Sequence, residues 1–360
     1  MDTLAPWAPR FARGDIAPWF VAATPDQPNF HLSATVGHYV LLGFLPPPGA
    51  VREAALKVFM AHRTRFDDEK LTAFIALRDA ESIKIARNQR PGLRWFLDAD
   101  SRLSALYGAV ETDGGEHPHW LLLDPMHRVL GAWPITETAA LFDEIAALPA
   151  LDAAAGVELY APVLIVPRVF DAELCQRLIA TYDAVGGTPS GVMRDIDGRT
   201  VGVMDGFKRR SDMIIDDAGF REELLQRLRR CLVPEIRKAF QFEVTRLERY
   251  LVACYDGAEG GFFKPHRDNE TLGTAHRRFA VSINLNAEQF EGGDLRFPEF
   301  GPRTYRPPTG GAVVFSCSLQ HEATPVTKGR RYAFLPFLYD EAGQVIREAN
   351  HAAMAAAANP

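Results

Sequence analysis

The chain has 360 residues, 47% of them hydrophobic and 24% charged, with a formal net charge of −6. That is enough apolar sequence for two cores, and the acidic balance argues against a polyanion-binding protein, so no nucleic-acid partner is expected. No stretch reaches membrane-spanning length without proline or charge, and Met1-Asp-Thr-Leu-Ala-Pro lacks a basic region followed by an apolar run, which together predict a soluble, cytoplasmic protein with no membrane partner.

The N-terminal third alternates strand and helix signals. His38-Tyr-Val-Leu-Leu-Gly-Phe-Leu reads as a buried strand, Ala50 to His62 as a helix, and Leu71-Thr-Ala-Phe-Ile-Ala-Leu as a second strand. Trp120-Leu-Leu-Leu-Asp precedes a turn into Val129-Leu-Gly-Ala-Trp, and the whole predicts an α/β layer structure. Gly14-Asp-Ile-Ala-Pro-Trp-Phe, Val40-Leu-Leu-Gly-Phe-Leu-Pro, Ser104-Ala-Leu-Tyr-Gly-Ala and Leu121-Leu-Leu-Asp-Pro-Met-His-Arg-Val-Leu resemble a peroxiredoxin or thioredoxin-fold domain. Peroxidase chemistry needs a low-pKa thiolate, and the first cysteine is Cys175. Residues 1–150 are therefore expected to be a non-catalytic peroxiredoxin-like domain that supports folding, homodimerisation, one wall of the active site or partner recognition. His117 and His119 form a loop pair with no further ligands nearby, which favours a structural or solvent-facing role.

Leu148-Pro-Ala-Leu-Asp-Ala-Ala-Ala-Gly reads as a short linker with a helix ending at Gly156. Beyond it, Asp171 is placed to cap a helix from Ala172 to Asp183, and Glu222 to Phe240 reads as another helix. The polar stretch from Gly186 to Asp212 has the composition of a lid, a hairpin or a surface connection, and Lys208-Arg209-Arg210 within it reads as a solvated loop. Alternating strands from Leu247 to Phe337 suit a double-stranded β-helix, or jelly roll, flanked by these helices. The cysteines at 175, 231, 254 and 317 lack the spacing of a zinc or redox motif and read as buried thiols. The Ala-rich end from His351 is expected to fray or to form a terminal helix.

The chemistry concentrates near the C-terminal end. Lys264-Pro-His-Arg-Asp-Asn supplies His266 and Asp268, two residues apart and hence on one side of an extended segment. His321 follows in Phe315-Ser-Cys-Ser-Leu-Gln-His-Glu, and Arg331 comes after the turn signal Thr327-Lys-Gly, which predicts His321 and Arg331 on neighbouring strands. Two imidazoles and one carboxylate suit Fe(II) and leave it net positive with open positions for a 2-oxo acid and O2. The planar fork of Arg331 suits the distal carboxylate of 2-oxoglutarate. Arg330 and Arg331 point to opposite faces of a strand, so only one can enter a pocket.

With Leu251-Val-Ala-Cys-Tyr-Asp-Gly, Ser282-Ile-Asn-Leu-Asn, Gly292-Gly-Asp-Leu-Arg-Phe-Pro-Glu and Pro162-Val-Leu-Ile-Val-Pro-Arg-Val-Phe-Asp, these motifs resemble the prolyl-4-hydroxylase-type superfamily of Fe(II)/2-oxoglutarate dioxygenases over roughly residues 157 to 345. The resemblance implies a dioxygenase domain over 157–350, with His266, Asp268 and His321 as metal ligands and Arg331 as the 2-oxoglutarate anchor. It also implies Tyr255 in the co-substrate pocket. Asn284 stands where family members often carry a second tyrosine. The retained carboxylate of Asp268 implies hydroxylation rather than halogenation, with succinate and CO2 as co-products. The implied substrate is small and amino-acid-like, free or carrier-bound, such as proline or pipecolic acid. Arg199, Arg209 and Arg210 are candidates for its carboxylate, although solvated surface arginines are the commoner case. A protein prolyl hydroxylase and a non-catalytic partner-binding protein are the alternative readings.

Overall fold

The computed structural model describes residues 8–357 and divides into two compact units, Met1–Tyr160 with Pro298–Gly301 and Ala161–Phe297 with Pro302–Pro360. The readings of residues 1–7 and of 358–360 lie outside the described residues.

In the first unit a five-stranded sheet runs Leu93–Leu97, Leu71–Leu77, Tyr39–Phe44, His119–Leu123, Val129–Pro134. The first three strands are parallel and the last two antiparallel, with the helix Ala50–Ala61 connecting two of the parallel ones. Side chains alternate across a strand, so a sheet covered on both faces needs apolar residues at every position. Tyr39 and Leu41 accordingly pack with Phe59 and Phe142 on one face, whereas Val40, Leu42 and Phe44 pack with Phe96 and Tyr107 on the other. His119 lies at the start of its strand, buried, with Nδ1 2.8 Å from the His117 carbonyl, a structural placement. The segment after this unit's last helix departs from expectation. That helix ends at Ala147, before Pro149, and only a short turn, Leu151–Ala153, precedes Gly156. Proline disfavours the helical conformation in the residue before it.

The second unit holds a nine-stranded sheet and a five-stranded one. The strands Phe279–Asn284, Arg330–Phe334, Leu251–Asp256 and Ser211–Ile214 lie side by side in the larger sheet. The smaller sheet runs Lys208–Arg209, Phe262–His266, His321–Ala323, Leu295–Arg296, Thr304–Tyr305. Strand parity sorts the residues of Leu251–Asp256. Val252 and Cys254 join a core with Leu174, Leu178, Leu224 and Leu228 from two helices, whereas Leu251, Ala253 and Tyr255 pack with Phe263 and Ala323 of the smaller sheet. Two sheets joined by such an apolar layer are what a jelly-roll core requires.

The helix Ala172–Val185 is capped as expected, the Asp171 side chain accepting from the Leu174 N–H at 2.9 Å. The single helix expected from Glu222 to Phe240 is instead two, Ala218–Cys231 and Val233–Phe240. Pro234 explains the break: it has no N–H for the preceding turn and is favoured in the first turn of a new helix. The residues from Gly186 to Asp212 form an exposed hairpin, Val192–Ile196 with Arg199–Val203, followed by strand. Cys175, Cys254 and Cys317 are buried and Cys231 is half-buried. The C-terminal segment is the helix Glu341–Ala357.

Candidate active site

His266 and His321 occupy adjacent strands of the smaller sheet and stand directly opposite each other in register. Their rings are 4.3 Å apart, and the Phe263 ring stacks on His266 at 3.4 Å. Asp268 lies not on the strand, as its spacing suggested, but in the turn just beyond it. Its backbone N–H donates to the Cys317 carbonyl at 3.0 Å, which brings the turn beside the strand that leads to His321. The three side chains present one ligand atom each, all within 4.8 Å of one another, and they are the one such metal-capable group among the described residues.

Hydrogen bonding fixes the imidazole orientation. His266 Nδ1 lies 2.8 Å from the Lys264 carbonyl and His321 Nδ1 3.1 Å from the Leu319 carbonyl, so each Nδ1–H donates to backbone and each Nε2 carries a lone pair. Those two Nε2 atoms face the Asp268 carboxylate at 3.6 and 3.3 Å. Three lone-pair donors turned on one point repel each other, and a divalent cation between them removes the repulsion. The donor set therefore fits Fe(II). Burial, reinforced by His321, pulls the His266 imidazole down to about 4, so it is neutral at pH 7 as a ligand must be.

Arg331 lies on the larger sheet, not on a strand neighbouring His321, because the chain passes through the strand Val326–Lys328 and turns at Gly329, whose φ is +74°. There it pairs with Tyr255 across two strands, its guanidinium 5.1 Å from the Tyr255 ring centre. Arg331 is 2% exposed. Nη2 donates to Ser282 Oγ at 2.9 Å, and Nη1 is buried without a hydrogen-bond partner among the described residues. An orphaned pair of N–H groups beside a buried cation fits an incoming carboxylate. Arg330 points the other way, exposed, with Nε 2.8 Å from Asp256 Oδ2. Asn284 is buried on the same large sheet, but its amide donates to the Pro307 carbonyl at 2.9 Å. The side chain that touches Arg331 is Ser282, two residues earlier on the same face, which the sequence reading passed over.

The basic triplet is not a solvated loop. Lys208 and Arg210 are buried, and Lys208–Arg209 is a strand paired with Phe262–His266. Arg210 forms an ion pair with Asp212 at 2.6 Å and donates to Tyr255 Oη at 3.3 Å, so its carboxylate partner is within the chain. Arg209 is exposed and donates to the Glu259 carbonyl, and Arg199 is exposed on the hairpin. That hairpin is tied to the loop that follows Asp268: Asp195 accepts from the Leu272 N–H at 2.9 Å and Thr200 Oγ1 from the Gly273 N–H at 2.7 Å. Below Asp268, Arg277 donates to its backbone carbonyl at 3.3 Å, while Glu248 holds both Arg277 and His276 at 2.5 Å.

Residues 250–339 match the 2OG-Fe(II) oxygenase superfamily. A PKHD-type hydroxylase of Pseudomonas fluorescens is 35% identical over 91 residues, 23% of this chain and 39% of the relative. One from Synechococcus sp. is 28% identical over 89 residues, with the same shares. The chain thus spans about two fifths of the length of these curated relatives. Among solved structures, a Pseudomonas putida prolyl-4-hydroxylase is 20% identical, covers 52% of this chain and 95% of its own, and has a TM-score of 0.39. The stretch that carries the three converging side chains and Arg331 is therefore a 2OG-Fe(II) oxygenase domain, whose cofactors are Fe(II), 2-oxoglutarate and O2.

Proposed function

We propose that this chain is an Fe(II)- and 2-oxoglutarate-dependent hydroxylase of a small amino-acid-like substrate, with residues 157–350 as its catalytic domain and residues 1–150 as a thioredoxin-like domain without a catalytic thiol. The observation that carries the reading is the convergence of two free Nε2 atoms and one carboxylate. A binding protein has no physical need for such a donor set together with a buried, half-satisfied arginine.

In this reading His266, Asp268 and His321 hold Fe(II), and Arg331 takes the distal carboxylate of 2-oxoglutarate with Ser282 and Tyr255 beside it. When bound, the metal and 2-oxoglutarate supply the oxidising power that inserts one oxygen atom of O2 into a substrate C–H bond as 2-oxoglutarate becomes succinate and CO2. The protein supplies orientation and exclusion of water. The Lys264 and Leu319 carbonyls keep the Nδ1 protons off the ligating nitrogens, and Arg277 fixes the turn that carries Asp268. Among the described residues no helix is long and apolar enough to cross a membrane.

Anaerobic titration of the apo-protein with Fe(II) and 2-oxoglutarate tests the assignment. The expected result is the weak visible charge-transfer band of a bidentate 2-oxo acid on Fe(II), lost in His266→Ala with its iron and strongly weakened in Arg331→Ala. Unchanged iron content in His266→Ala overturns the ligand assignment.

A further inference from the structure

The cations around the metal cluster fall into two groups. Arg210 has Asp212 and Arg277 has Glu248, each at ion-pair distance. Among the described residues no carboxylate lies at ion-pair distance from Lys208 or Arg249, although Asp212 acts on both at longer range. The Lys208 ammonium, on a residue only 9% exposed, makes one hydrogen bond among the described residues, to the Gly191 carbonyl at 3.0 Å. It stands 5.1 Å from the centre of the Phe263 ring, whose plane stacks on the His266 imidazole. One ring therefore separates this ammonium from a metal ligand. Arg249 makes no hydrogen bond and no ion pair among the described residues. Its guanidinium lies 5.4 Å from the Phe337 ring, over which Arg277 sits at 3.9 Å while also donating to the Asp268 carbonyl.

Two further observations set these residues apart. Arg249 has φ +70°, a left-handed conformation that a side-chain-bearing residue adopts at a cost on the order of 1 kcal/mol and that is retained where the surroundings enforce it. Burial, followed by Arg210, pulls the Lys208 amine down to about 7; Asp212 opposes this, Arg249 adds to it and Asp268 opposes it more weakly. Arg249 is itself lowered by burial and then by Arg277 and Arg210, with Asp212 and Glu248 acting in the opposite sense. Cations crowded together in a partly dry region are unfavourable for the free protein, and an incoming anion relieves them.

We propose that Lys208 and Arg249 form an anion subsite flanking the His266–Asp268–His321 cluster and that it receives a free carboxylate of the substrate. This rests on the hydroxylase reading and narrows it. The two other claims on an anion are separate: Arg331 faces the co-substrate side with Tyr255, and Asp268 supplies the negative charge at the metal. A substrate held by Lys208 and Arg249 carries its own carboxylate, as a free amino acid does and as an internal residue of a polypeptide does not. The ion pair Arg210–Asp212, whose guanidinium lies 5.9 Å from the same Phe263 ring, positions this wall of the pocket and adds no net charge.

Inorganic phosphate is a probe that needs the anion site and no knowledge of the substrate. Full-length protein loaded anaerobically with Fe(II) and saturating 2-oxoglutarate is titrated with phosphate by calorimetry, and the charge-transfer band is recorded on the same sample. The expected result is saturable phosphate binding, weakened about tenfold or more in Lys208→Met and in Arg249→Met, largely kept in Lys208→Arg, with the band unchanged in all of them. That tenfold effect corresponds to about 1.4 kcal/mol. Wild-type protein that binds no phosphate, or Met variants that bind it as tightly as wild type, overturns the subsite. The band guards against unfolded variants, and its absence in wild-type protein overturns the hydroxylase reading instead, whatever phosphate does.

Discussion

Replacing Arg331 by Met should leave the metal-free protein close to wild type in stability, or above it, while removing its response to 2-oxoglutarate. The guanidinium is buried, donates once to Ser282 and leaves Nη1 unsatisfied, and among the described residues no carboxylate forms an ion pair with it. Burial accordingly pushes its pKa down. Substituting buried ionic groups with apolar side chains of similar volume is often neutral or stabilising by about 1–4 kcal/mol. The lost Ser282 bond and the stacking on Tyr255 each offset about 1 kcal/mol of that, so a net change between about −1 and +2 kcal/mol is expected. For a domain of this size the upper end of that range raises the melting temperature by up to roughly 8 °C. Anaerobic thermal unfolding with Fe(II), with and without 2-oxoglutarate, reads both effects. Wild-type protein should gain about 2.7 kcal/mol at a hundredfold excess over Kd, and Arg331→Met almost none of it. A variant that melts well below wild type without ligand would refute the account of Arg331 as an uncompensated buried charge. One that keeps the ligand-induced shift would refute its role as the anchor.

Glu248→Gln should destabilise the protein by roughly 3–5 kcal/mol in urea unfolding, because it leaves Arg277 buried without its carboxylate, and it should weaken iron binding through the Asp268 turn. Retention of wild-type iron affinity would separate Arg277 from that turn. At Gly293, φ is +70° and a Cβ would meet Val326 Cγ2 at 2.7 Å and Arg331 Cδ at 3.2 Å. Gly293→Ala should therefore raise the 2-oxoglutarate concentration needed for half-formation of the band, and an unchanged titration counts against the packing argument. In the metal-free protein, His266 titrates near 4 against about 6.5 when unfolded. The unfolded state therefore binds the extra proton between those values, so stability is complete above pH 6.5 and falls as pH drops toward 4, at up to about 1.4 kcal/mol per pH unit. Urea midpoints across pH 7.5 to 4 should show this slope, smaller in His266→Phe; identical slopes in the two proteins would contradict it.

What the sequence disclosed and what it hid divide along the range of the interaction. The strands Tyr39–Phe44, Leu71–Leu77 and Leu251–Asp256 are announced by apolar periodicity, and the Asp171 cap by one residue at a helix start, because those signals are local. The residue types that converge at positions 266, 268 and 321 and the separation of Arg330 from Arg331 to opposite faces are local too. The sheet on which Arg331 lies is not, since it depends on where the chain turns at Gly329 and which strands accept it. Asp268 looked like a strand residue, but the backbone bond to Cys317, 49 residues away in sequence, holds it in a turn. Lys208 and Arg210 looked like surface charges because a basic triplet usually is one. Their burial follows from pairing with Phe262–His266 and from Asp212 two residues on. Nothing local marks Arg249, whose environment is made by Phe337 and Arg277.

The parity of one strand also separates stability from chemistry in this domain. Along Leu251–Asp256, Val252 and Cys254 face the helices, whereas Tyr255 faces the smaller sheet and lies between Arg331 and Arg210, its ring 5.1 and 5.7 Å from their guanidinium carbons. A truncation at Val252 removes methyl groups from a close-packed core and acts on folding. Truncation at Tyr255 instead removes the aromatic face shared by two buried cations. Those cations differ in how they are balanced: Arg210 keeps Asp212, while Arg331 loses one of the few groups that make its burial tolerable before a carboxylate arrives. Change at Tyr255 should therefore be felt at Arg331 before it is felt in the core.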